Sequence, residues 1–264
     1  MQPLKKFPED ARRNIKIVLC DIDDTLTTNG HLTVEAYAAL EALQNSGFQV
    51  FPITGRPAGW CDHIARMWPV DGIVGENGAF YFRYNHDTQT FTKRFMASDE
   101  IRAENRHRLD ILLGEILIAV PAAAVASDQH YREADLAIDF CEDVARLPAD
   151  DIQRVVDIFE AAGATAKVSS IHVNGWFGDY DKLAMTRRML DECFEINMET
   201  EKDQIVFVGD SPNDVPMFRF FPHSIGVANI ADFEGRLDTE PAYVTEAPGG
   251  AGFAEVVQAL LHTR

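Results

Sequence analysis

Asp21 and Asp23, two carboxylates two residues apart, directly follow the apolar run Ile15, Ile17, Val18, Leu19, Cys20. Such a run reads as a buried strand. That places both acids at its carboxyl end, where open α/β sheets bind their ligands. Acids this close repel each other unless a cation neutralises them, and a hard, oxygen-seeking ion such as Mg²⁺ suits them. One carboxylate can then attack phosphorus while the other moves a proton.

Three further groups fall at comparable places. Thr54 and Gly55 follow the apolar run FQVFPI, where a hydroxyl and neighbouring backbone N–H groups can hold phosphate oxygens. Lys182 opens a helical segment and supplies a point charge for a phosphate or for the Asp21 carboxylate. GDSPND, residues 209 to 214, follows the apolar IVFV. There Asp210 completes an oxygen set for a metal, and Asn213 and Asp214 support Asp210, the phosphate or metal-bound water. Each feature also has an ordinary reading. Ser211 and Asp214 form an S-x-x-D capping box with Pro212 at the first helical position. Thr54 suits a turn, Asn77–Gly78 a tight turn, and GGAG at 249 to 252 a flexible turn.

The elements that must position these groups alternate. HLTVEAYAALEALQNSG reads as a helix with Thr33 as N-cap and Gly47 past its end. FQVFPITG reads as a strand running into a loop, Pro57 to Met67 as a helix and DGIVG as a short strand. This β-α-β-α-β rhythm implies a parallel sheet with right-handed crossovers. It changes near Glu76–Asn77–Gly78, where AFYFRY and FTKRFM flank Asn85–His86–Asp87–Thr88 as a hairpin. A helix over 98–119, a strand in HYREADLAIDF, a helix from Pro148 to Gly163 and the β-rich run ATAKVSSIHVNGWF follow. From Asp181 the rhythm resumes with a helix over 181–193, the strand QIVFVG, a helix over 212–220, the strand SIGVA and a closing helix over 252–262. The expected fold is α/β, a Rossmann-like three-layer core with a parallel sheet plus an inserted α+β cap domain. The core is residues 1–82 and 178–264, and the cap is 83–177.

Composition narrows the partners. The net charge of −18, from 24 basic and 42 acidic side chains, argues against nucleic acid or an anionic membrane. It also requires local cations for any phosphorylated substrate. Cys20, Cys61, Cys141 and Cys193 form no C-x-x-C pair, so reduced thiols in a cytoplasmic protein are expected. The N-terminal MQPLKKFPED carries no apolar signal segment, and LDILLGEILIAV is too short to span a bilayer. No exposed apolar stripe marks a dimer seam, and a monomer or small homo-oligomer is expected.

Taken together, DIDDTLT, ITGRP, YDK and GDSPND resemble, in order and spacing, the four motifs of the haloacid dehalogenase superfamily. The large insertion between the second and third motifs resembles the type II (C2) cap of its Cof-like branch. ENGAF is similar to a sequence typical of that branch, which includes sucrose-phosphate, mannosylphosphoglycerate and trehalose-phosphate phosphatases and phosphomannomutases. Two departures stand out. Leu183 follows the lysine where glycine is usual, and GDSPND stands where GDGxND is common.

The resemblance implies a Mg²⁺-dependent phosphomonoesterase acting on a small phosphorylated metabolite, a sugar phosphate. Asp21 is the implied nucleophile, forming an aspartyl-phosphate. Asp23 is the implied acid and base, its backbone carbonyl also ligating the metal. Thr54, Gly55, Lys182 and Asn213 hold phosphate, and Asp210 with Asp214 completes the metal site. His172 and Asn174, two apart on a cap strand, share a face that can point at the site, and Arg132 joins them as a substrate contact. The alternatives are a phosphosugar mutase of the same superfamily and a non-catalytic phosphate-binding module.

Overall fold

The structure is a computed structural model, and it describes residues 1–169 and 171–263. Ser170, within the expected β-rich run ATAKVSSIHVNGWF, lies outside the described residues, as does Arg264. Six parallel strands form the main sheet, in the order Gln2–Pro3, Tyr243–Val244, His223–Gly226, Ile205–Gly209, Ile17–Cys20, Gln49–Pro52. The central strands are buried on both faces, as their unbroken apolar runs require. Val18 and Cys20 join the hydrophobic cluster on one face with Leu40, Leu43, Phe253 and Val257. Ile17 and Leu19 join the cluster on the other face with Met185, Met189, Phe207 and Phe218. This alternation, from the strand period of two, is what makes three layers.

The helix ends follow their caps. Thr33 Oγ1 accepts from Ala36 N ahead of Val34–Asn45, and Gly47 beyond it has φ +78°. Asp181 caps Lys182–Phe194 through Ala184 N. Ser98 does the same for Asp99–Ala119 through Ile101 N.

One expected boundary divides an element. The strand Phe80–Asn85 pairs antiparallel with both Ile73–Gly75 and Thr90–Phe95, so a cut between 82 and 83 falls inside it. Phe80 and Phe82 are buried in a core cluster with Phe91 and Phe95 packed against them. Packing these rings keeps the hairpin with the core. Ile73–Gly75 itself meets the parallel sheet only through a single bridge, Ile53 to Val74.

The packing partners change at the helix Asp99–Ala119. It and the helix Ala149–Ala161 pack on an antiparallel sheet ordered Thr165–Val168, His172–Trp176, Leu136–Asp139, Ala124–Val125. Leu109, Leu112, Ile116, Ile138, Val155, Phe159 and Val173 form a separate core there. Among the described residues no helix is long and apolar enough to cross a membrane. Cys20, Cys61 and Cys193 are free thiols, with Cys20 and Cys61 buried.

Candidate active site

Parallel pairing brings the carboxyl ends of Ile17–Cys20 and Ile205–Gly209 side by side, so the acidic loops that follow them meet. Asp21 is fixed by its own N–H, which donates to Val208 O at 2.9 Å. Lys182, 2% exposed, stands between two acids: its Nζ donates to Asp21 Oδ1 at 2.8 Å and to Asp214 Oδ1 at 2.7 Å. The other oxygen of Asp214 accepts from Asp210 N at 3.1 Å and Ser211 N at 3.4 Å. Gly209 makes this possible, since a Cβ there would stand 2.4 Å from Asp214 Oδ2. Asp210 is held by Thr25 Oγ1 at 3.2 Å and Asn229 Nδ2 at 3.3 Å.

Lys182 is placed by a second close approach. Gly78, at φ +108°, lies against the carbonyl of Asp181, and a Cβ on it would sit 2.0 Å from that oxygen. Only glycine adopts this turn and admits the neighbouring chain. The Asn77–Gly78 turn therefore also seats the start of the lysine's helix.

The electrostatics follow from burial. Removal from water pushes Asp21 up to about 7; Lys182 works against this, and Asp214 and Asp23 add to it. Burial and the neighbouring Asp21 and Asp214 lift Asp210 well above the usual carboxylate range. Burial disfavours the charge on Lys182, but the two carboxylates outweigh it and hold the amine well above its ordinary value. Oxygens of Asp21, Asp210 and Asp214 lie within 4.8 Å of one another. Hard oxygen donors gathered this closely fit a hard divalent cation, which would offset the repulsion between Asp21 and Asp210. Both oxygens of Asp214 already have donors, so its part is to hold Lys182 and the Asp210 loop.

Nearby, Asp23 accepts from Arg56 through both oxygens, from Nε at 2.9 Å and from Nη2 at 2.7 Å. Arg56 reaches on to Glu142 Oε1 at 2.8 Å. His172 Nε2 lies 2.9 Å from Glu142 Oε2. Thr54 is fully buried and its Oγ1 accepts from Arg56 N. Gly55 O accepts from Arg132 Nη1 at 3.0 Å. Arg132 also donates to Asp128 and Asp135, and Asn174 Nδ2 donates to Asp135 at 2.9 Å. Asn213 Oδ1 accepts from Ser211 Oγ at 2.6 Å.

Asp21, Asp23, Gly55, Arg132, His172, Asn174 and Asn213 all line one cavity between core and cap. Thr54, Lys182, Asp210 and Asp214 stand immediately behind its wall, tied to it by the hydrogen bonds above. The free space is about 10 Å³, room for one water.

The structure brings these acids together at the carboxyl edge of a parallel sheet, with the lysine between two of them. Residues 18–105 match the haloacid dehalogenase-like hydrolase family. The chain is 26% identical to a phosphoglycolate phosphatase of Archaeoglobus fulgidus, over 93% of this chain and 96% of that one. In fold it resembles a protein of Thermoplasma acidophilum, with TM-score 0.69 and 18% identity over 94% of this chain and 98% of that one. It also resembles the Synechocystis sucrose-phosphatase solved with sucrose and phosphate, with TM-score 0.62 and 14% identity over 94% and 98%.

Several site residues lay outside the sequence reading. Arg56 sits in the quoted ITGRP, and its position directly after the phosphate loop was the available signal. Asn229, Asp128, Asp135 and Glu142 carry no local pattern. Glu76 is fully buried, and its carboxylate accepts from Ala58 N in the core and from Glu133, Ala134 and Asp135 N in the cap. It lies in the noted ENGAF, yet its contacts come from distant segments.

Proposed function

We propose that this protein is a divalent-metal-dependent phosphomonoesterase for a small phosphorylated metabolite, working through an aspartyl-phosphate on Asp21. The observation that carries this is Lys182 bridging Asp21 and Asp214 beside Asp210. On this reading the cluster joins the nucleophile, a phosphate-binding cation and hard metal ligands in one buried spot. Asp21 attacks phosphorus and the ester P–O bond breaks. Asp23 gives a proton to the departing alcohol, then takes one from the water that attacks the phosphorylated Asp21, releasing inorganic phosphate. Arg56 engages both oxygens of Asp23, so Asp23 must be released from one of these hydrogen bonds to deliver a proton from that oxygen.

Asp21, Asp210 and the backbone of Asp23, with Asp214 behind them, would hold Mg²⁺, which neutralises charge on the transferring group. Lys182, Thr54, Gly55 and Asn213 hold phosphate oxygens. Arg132, His172 and Asn174 face the rest of the substrate. The relatives' names leave two substrate kinds for the class, short phosphorylated acids and the sugar phosphates expected from sequence. Free cysteines and the acidic surface support a cytoplasmic setting, with no nucleic acid as partner.

The test is phosphate release from a panel of small phosphomonoesters, with Mg²⁺ and with EDTA. Metal-dependent release that Asp21→Asn abolishes is the expected result. Release that survives either EDTA or the substitution overturns the assignment.

A further inference from the structure

The turn that seats the lysine's helix is strained beyond what Gly78 requires. Glu76 and Asn77 precede it with φ of +43° and +54°, left-handed backbone that a glutamate keeps only where its surroundings impose it. The side chain presented there is a carboxylate with no exposure. Four backbone N–H groups meet it. Oε1 accepts from Ala58 N at 3.0 Å and Glu133 N at 2.9 Å, and Oε2 from Ala134 N at 2.7 Å and Asp135 N at 3.2 Å. Ala58 opens the core helix Ala58–Met67, whereas the other three are successive residues of the cap. One buried carboxylate therefore joins core to cap through charge-assisted hydrogen bonds.

The same turn holds the loop of Thr54, Gly55 and Arg56. Asn77 N donates to Thr54 O and Glu76 N to Arg56 O, both at 3.1 Å. The carbonyl between them, Gly55 O, accepts from Arg132 Nη1 at 3.0 Å. Three successive carbonyls are thus tied, two by the turn and one by the cap. Arg132 directly precedes the three residues whose N–H groups Glu76 holds, so its reach to Gly55 is set by where that segment lies.

We infer that Glu76 is a positioning residue: it pins the cap segment 133–135 to the core and so keeps Arg132 against the loop that takes the phosphate. Its effect on turnover rests on the phosphomonoesterase reading, whereas the pin itself rests on the contacts alone. Among the described residues Glu76 shares no hydrogen bond with Asp21, Lys182 or Asp210. Losing the pin should therefore weaken substrate capture more than the chemical step.

The experiment uses Glu76→Gln, which keeps the shape but offers one oxygen and an N–H₂. Whichever way that amide turns, its nitrogen faces backbone donors, either Ala58 with Glu133 or Ala134 with Asp135. Hydrogen exchange of the full chain should quicken at least tenfold at residues 133–135, the size of one charge-assisted hydrogen bond. Val155→Ala is the control, since it opens a space in the cap's own core and lowers stability without touching the pin. It should change exchange at 133–135 far less. With p-nitrophenyl phosphate and Mg²⁺, Glu76→Gln should raise KM about tenfold and keep kcat within about threefold. Equal acceleration of exchange in the two variants overturns the inference, as does a fall in kcat with KM unchanged.

Should Glu76→Gln fail to fold, the wild type alone still decides. Its amides at 133–135 should exchange as slowly as those of the adjoining strand Leu136–Asp139, and fast exchange there overturns the pin. Failure of the underlying reading looks different, because the wild type would then release no phosphate while the exchange comparison still upholds or overturns the pin.

Discussion

The two walls of the cavity are built on different terms. On the core wall, charges sit at strand and helix ends: Asp21 after one strand, Asp210 after its neighbour, Lys182 on the first turn of a helix. Parallel pairing alone brings them together, and each is fixed by backbone as much as by side chains. On the cap wall, Arg132, Glu142 and His172 come from a loop, a bend and a strand, and they hold one another through a chain of ion pairs that crosses to Arg56 and Asp23. The core wall is set by topology and the cap wall by a network. Chemistry that every substrate shares belongs on the first, and selection and closure on the second.

Asp21→Asn tests the core half most severely. Turnover of every phosphomonoester should vanish, measured as phosphate release, because uncatalysed hydrolysis of these esters is extremely slow. Lys182→Met comes next. It leaves Asp21 and Asp214 buried without their cation, which should cost about 3–5 kcal/mol of stability in a denaturant titration. Added Mg²⁺ should return part of that stability by giving Asp21 another partner.

Arg56→Gln addresses the joint between the walls. It removes the fork on Asp23 and the link to Glu142 together. A fall in kcat of about tenfold to a hundredfold is expected from losing one charge-assisted hydrogen-bond pair. The fall should be alike across substrates, whereas Arg132→Gln should re-rank them. If both variants re-rank substrates equally, the division between walls fails.

The smallest effect concerns acid. Burial alone would raise the Glu142 carboxyl, but hydrogen bonds from His172 and Arg56 overcome it and bring it to about 2. Its folded value is thus below its unfolded one. The stability it lends is present above the ordinary glutamate range and is lost as pH falls toward 2. Cap closure, followed by proteolytic sensitivity between pH 6 and 3, should weaken in the wild type and change less in Glu142→Gln.

The same contrast decides what the sequence could reveal. Apolar runs followed by acids are local patterns, so Asp21 and Asp210 could be read directly, whereas the roles of Lys182 and Asp214 came from the resemblance of the four motifs taken together. AFYFRY and FTKRFM announced a hairpin, but not that Phe80 and Phe82 bury their rings in the core, and so not where the cap begins. His172 and Asn174 were reachable from strand periodicity, which puts them on one face. Glu142 was not, because its role depends on Arg56, 86 residues away. Ion-pair networks across an interface leave no period in the chain.

The seating of Asp181 against Gly78 bears on how the cap can swing. The chain returns from cap to core through the segment 177–181, and the next residue is the lysine that bridges the two buried acids. A lever attached directly to a charge would shift that charge at every stroke. Here the return strap is stopped by the glycine turn one residue early, and Asp181 closes the helix end with its own side chain. The bearing is on the core side of the joint, so opening can take up its rotation before Lys182. The cap can then come and go without dragging Lys182 away from Asp21 and Asp214.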